Sequence, residues 1–124
     1  MKLKNLHLAV SILIIVPVAL TYGVLPSGLL KNIFQFNFGN TDISGIFRAI
    51  MGLYIAMAIF WILGILKPGF WDAATLSNVL FMLGLVVGRL LSLLLDGVPS
   101  SIFLAGLFIE ILLAVWGILN LRKY

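Results

Sequence analysis

Apolar residues run along this chain in four long blocks rather than in alternation, and that pattern predicts four helices. The blocks are 6–25, 46–66, 73–95 and 102–121. Each holds about 20 residues, enough to cross a hydrocarbon layer of roughly 30 Å at ~1.5 Å per residue. A spanning segment must satisfy its backbone groups internally, and continuous apolar runs suit helices rather than the alternating strands of a barrel. The expectation is an all-α membrane protein, a four-transmembrane-helix antiparallel bundle forming one domain over 1–124.

The connections between blocks sharpen this picture. The 67–72 and 96–101 segments are short, so helices 2 and 3, and helices 3 and 4, should be antiparallel neighbours. In the second of these, Asp96 can end a helix and Gly97 permits a left-handed backbone. Pro99 discourages continuation, and Ser100 or Ser101 can cap the next helix. The 26–45 connection is long. Phe34, Phe36 and Phe38 alternate there with Gln35 and Asn37, which suits an interfacial segment or a short amphipathic helix. Its bland role is an anchor; its sharper role is a lid over a cavity. Pro17 removes one backbone donor from the first block and predicts a kink. The first block also resembles a secretory signal. It is longer than a signal core and no small-x-small cleavage site follows, so it is expected to stay as a helix.

Composition agrees: 63% of residues are hydrophobic and 10% charged, which excludes an ordinary water-soluble domain. Mean hydropathy is +1.23. The net charge is +4, but Lys2, Lys4, Lys67, Arg122 and Lys123 mark the ends of apolar blocks. They set topology rather than a nucleic-acid footprint. They put both termini and the 67–72 turn in the cytoplasm, and suggest a multi-pass protein of the cytoplasmic membrane. There are no cysteines, so thiol chemistry and Cys-ligated metals are excluded. The lone His7 reads as an interfacial residue, and Trp61, Trp71 and Trp116 read as an aromatic belt. No metal, cofactor or catalytic motif is present.

The informative exceptions are charges within or beside apolar blocks: Arg48, Arg89, Asp96 and Glu110. Charges in a bilayer are costly and usually face a bundle interior in pairs. Arg89 lies seven residues before Asp96, roughly 10 Å from the turn; Glu110 lies eight residues after Ile102, roughly 12 Å in. The two should meet as an intramembrane ion pair, with Arg48 near Asp96, and with Tyr54, Ser92 and Tyr22 close by. Small residues recur at Gly45, Ala49, Gly52 and Ala56, at Gly84, Gly88 and Ser92, and at Gly106, Ala114 and Gly117. Such stripes let helices approach closely and suggest inward faces. They could equally serve contacts between protomers, so a homo-oligomer is an open expectation.

The segments Arg48-Ala-Ile-Met-Gly52-Leu-Tyr54, Gly88-Arg89-Leu-Leu-Ser92, Asp96-Gly97-x-Pro99 and Glu110 resemble a family of small bacterial four-helix membrane proteins. That family is classed as a domain of unknown function and is distantly similar to DoxX-like proteins. The resemblance covers most of the chain and implies the four-helix fold. It marks Arg48, Arg89, Asp96 and Glu110 as the polar positions and implies no activity.

Three functions remain in contention. The first is binding or moving a small anionic or amphiphilic molecule in a polar pocket in the outer half of the bundle, because guanidinium groups fork onto anionic oxygens. The second is a structural or accessory subunit whose buried pairs only specify packing. The third is an enzyme acting on a lipid-soluble substrate, with Glu110 as acid or base and Tyr54 assisting.

Overall fold

The computed structural model describes residues 2–23 and 41–124. Four helices account for nearly all of them: α1 (Leu3–Gly23), α2 (Thr41–Leu66), α3 (Trp71–Asp96) and α4 (Ser101–Lys123). A single 3₁₀ turn, Pro68–Phe70, joins α2 to α3. Each helix is long and apolar enough to cross a membrane. The chain is therefore a multi-pass membrane protein. The helices outrun the apolar blocks, because polar residues at either end extend them. Residues 41–45, expected as loop, form the first turns of α2. The rest of the expected interfacial loop, with Phe34, Phe36 and Phe38, lies outside the described residues.

Local chemistry sets the ends. Gly97 takes φ 93°, the left-handed backbone that only glycine adopts cheaply, and stops α3. Ser100 sits at the start of α4, but its carbonyl, not its hydroxyl, serves the helix, accepting from the Phe103 and Leu104 amides. Asp72 in the first turn of α3 and Arg122 and Lys123 in the last turn of α4 complement the helix dipoles. α1 continues helically through Pro17. Pro17 and Leu13 both face outward, so the lost hydrogen bond lies on the outer side of the helix. The Thr21 hydroxyl donates to the Pro17 carbonyl at 2.9 Å.

α1 packs most extensively on α2, and α3 on α4, while α1 meets α4 only sparsely. Both ends of the chain and the 67–70 turn share one end of the bundle, called here the terminal end. Trp71 at the start of α3 donates to the Lys4 carbonyl at 3.2 Å and meets the ring of Tyr124. The 97–100 turn marks the opposite end. Large apolar side chains such as Leu13, Leu94 and Val98 point outward, a surface suited to lipid and not to water.

Two expectations about faces are overturned. Trp61 and Trp71 are not belt residues: they are buried, and the Trp61 indole donates to the Ser77 hydroxyl at 3.2 Å. Depth along the sequence suggested a belt, but each indole finds its polar partner within the bundle. The small-residue stripes on α2 (Gly45, Ala49, Gly52, Ala56) and α3 (Gly84, Gly88, Ser92) face outward. Only the α4 stripe packs inward. A Cβ on Gly117 would stand 2.6 Å from Val79 Cγ2 and 2.9 Å from the His7 ring, so α4 can approach α1 and α3 only with glycine there.

Candidate functional site

α3 and α4 run antiparallel from their short turn, so residues at matching distances from it face each other. Arg89 and Glu110 do so. Arg89 Nε donates to Glu110 Oε2 at 2.8 Å, and Nη2 donates to Oε1 at 3.0 Å. This forked geometry is the strongest form of carboxylate recognition. The two side chains are 24% and 9% exposed, so the pair is largely withdrawn from its surroundings. Arg89 also shares a cleft with Tyr22 of α1 and lies over the Phe103 ring, 5.7 Å from its centroid. Tyr54 of α2 meets Tyr22 edge-on at 6.0 Å and Phe81 at 5.0 Å. All four helices therefore contribute to one polar cluster.

A cleft of about 240 Å³ adjoins this cluster where α1 and α4 part. Ile14 and Val18 of α1 and Ile102 and Ile109 of α4 wall it. Ile15, Met82 and Leu113 close its terminal-end side, while Arg89, Glu110, Tyr22 and Tyr54 supply its polar groups. On the other side of Arg89, Ser92, Pro99, Phe103 and Leu107 line a second hollow of about 290 Å³. The arrangement offers an apolar slot with a neutralised but strongly dipolar end.

Of the residues singled out in the sequence, Arg89, Glu110, Tyr54 and Tyr22 come together. The others stand apart. Arg48 faces outward and donates from Nη1 to the Gly23 carbonyl at 3.2 Å. Asp96 accepts from the Ser92 hydroxyl, one turn away on its own helix, at 2.9 Å. Among the described residues no Arg48–Asp96 pair forms. The two share a depth but not a face.

A family profile described as "Domain of unknown function (DUF4345)" matches residues 3–121. The chain belongs to this family. No curated protein and no solved structure matches it. The DUF4345 description carries no activity, so any chemistry must be read from the residues themselves.

The DUF4345 bundle holds a second polar group, at the terminal end, that sequence reasoning missed. His7 is fully buried rather than interfacial, and its Nε2 lies 2.9 Å from the Leu113 carbonyl. A carbonyl only accepts, so Nε2 carries a proton, and in the neutral ring Nδ1 is then an acceptor. Ser11, Thr75 and Asn78 are likewise fully buried, and Asn5 and Asn120 nearly so. The signal was available: His7 and Ser11 lie one turn apart, as do Thr75 and Asn78, on the buried stripes of α1 and α3. It went unread because uncharged polar residues near a block end pass for interfacial ones.

Proposed function

We propose that this protein binds a small amphiphilic molecule from the membrane, with the apolar part between α1 and α4 and the polar head at the Arg89–Glu110 pair. One observation carries the reading. The slot joins apolar walls to a single polar end, and it lies where two helices of the bundle part. Ligand sites of this kind are concave and mostly apolar, with a few convergent polar groups. Because Glu110 already occupies the guanidinium fork, the favoured head both donates and accepts hydrogen bonds. A simple anion would have to displace Glu110. The basic residues at the terminal end favour a cytoplasmic location for both termini, in a bacterial inner membrane, with the cluster in the outer half.

Native mass spectrometry of protein extracted gently from its own membrane tests this. A discrete added mass should be present in the wild type and lost in Arg89→Ala, with the variant still monodisperse and helical. A mass unaffected by Arg89→Ala, or no mass in any mild extraction, would sink the reading.

A second reading has its own support. The forked bonds use the Nε and Nη2 edge of Arg89 in full. A pair so well matched can serve packing alone, fixing α3 against α4 in a structural or accessory subunit.

A further inference from the structure

The buried seam changes character along its length in the same order on three helices. α1 carries His7 and Ser11, then Ile15, then Tyr22. α3 carries Thr75 and Asn78, then Met82 and Val86, then Arg89. α4, read from its far end, carries Asn120, then Leu113 and Ala114, then Glu110. Ile15, Met82 and Leu113, which line the slot beside Arg89 and Glu110, stand between that slot and the polar residues of the terminal end in the order of all three helices.

Those terminal-end residues carry an unusual set of unpartnered atoms. Asn5 Oδ1, His7 Nδ1, Ser11 Oγ, Thr75 Oγ1, both polar atoms of the Asn78 side chain and Asn120 Nδ2 are all buried, and none has a hydrogen-bond partner among the described residues. Native interiors leave only a few such groups unpaired. These seven atoms include acceptors (Asn5 Oδ1, His7 Nδ1), donors (the Asn78 and Asn120 amides) and hydroxyls that do both. No single ion would satisfy that mixture. A small uncharged guest that both donates and accepts would. Asn5 also lines a hollow of about 420 Å³ that opens at the terminal end beside Lys2, Lys4, Gly64 and Pro68. Of the cluster, Asn5 is the residue that reaches this hollow.

We propose that the terminal-end half of the bundle is a second binding site, entered past Asn5, for a small uncharged guest presenting both donors and acceptors. Water is the smallest such guest, since a buried water typically needs two to four polar partners. A neutral organic solute retained from the cell has the same chemistry. The site is independent of the Arg89–Glu110 slot and separated from it by the apolar layer.

The chain has one histidine, so its ring is an unambiguous reporter in the wild-type protein. Water-edited solid-state NMR on protein labelled at histidine, lysine and methionine, in lipid bilayers, should show magnetisation reaching the His7 ring as fast as the exposed Lys2 amine, and well before the Met82 methyl. That result identifies the guest as water. If transfer is slow, native mass spectrometry should show an added small neutral mass that survives Arg89→Met, which identifies an organic guest in this site. Transfer to His7 as slow as to Met82, with no such mass, overturns the proposal and means that the polar side chains satisfy one another.

Discussion

Arg89 and Glu110 lie on antiparallel neighbouring helices and share two parallel hydrogen bonds, at 2.8 and 3.0 Å. Breaking a buried pair by removing one partner strands the other charge, whereas replacing both with apolar residues can be neutral or stabilising. Arg89→Met alone should therefore cost roughly 3 kcal/mol, the low end of that range because a quarter of its side chain remains exposed. Glu110→Leu alone should cost more, since Arg89 would be left against apolar walls. The double variant should recover most of the loss. Unfolding by increasing SDS in mixed micelles, followed by circular dichroism, reads all three. Losses that simply add would mean that the two charges do not depend on each other.

Trp61 should behave as an interior residue. It is fully buried with its indole bonded to Ser77, and Phe81 meets it edge-on at 5.4 Å. In a protein whose other two tryptophans are replaced by phenylalanine, brominated lipid chains should quench Trp61 weakly at every bromine depth. A matching protein retaining only the half-buried Trp116 should be quenched more strongly. Strong quenching of Trp61 would restore the belt reading and contradict the packing of α2 on α3.

The fold was legible because its cause is written into every residue: four apolar blocks of bilayer length, closed by Gly97 and Pro99 at one turn and by Pro68 at another. The Arg89–Glu110 pair was legible too. A seven-residue and an eight-residue step on either side of a short turn fix a common depth without knowledge of the face. Where face alone decided, the sequence misled. Glycines on α3 at four-residue spacing look the same whether they meet a helix or lipid. Gly84 and Gly88 turn out to have open space around them, whereas Gly117 is hemmed in by Val79 and His7. In a soluble protein, hydrophobic periodicity would have told these apart. Here the lipid-facing side is as apolar as the core, so that signal is missing. His7 and Asn78 were hidden for a related reason, since polarity near a helix end is ordinary at a membrane surface.

The glycines give a direct test of that distinction. Gly117→Ala forces α4 away from α1 and α3, and overpacking of this kind costs about 1–3 kcal/mol. It should also weaken the bond between His7 and the Leu113 carbonyl, visible as a shift of the single histidine ring signal. Gly84→Ala and Gly88→Ala meet nothing within 4 Å and should be neutral, or stabilising by up to about 1 kcal/mol through helix propensity. If Gly88→Ala proved as damaging as Gly117→Ala, the α3 stripe would have to face a helix after all.

Gly106 separates the two readings of the Arg89–Glu110 cluster. It lines the slot, and a Cβ there would touch only the Arg89 guanidinium, 3.6 Å from Nη2, an ordinary contact. Gly106→Ala should therefore fold with unchanged stability and leave the ion pair intact. Gly106→Leu projects a branched side chain into the slot beside Arg89 without removing either charge. If the slot binds an amphiphile, the leucine variant should lose the added mass in native mass spectrometry while keeping wild-type resistance to SDS. If the cluster serves packing only, there is no guest to displace, and the wild type and the variant should both show the bare protein mass. The alanine variant guards the comparison: it must retain the guest, because its methyl group fills too little of the roughly 240 Å³ available to exclude one.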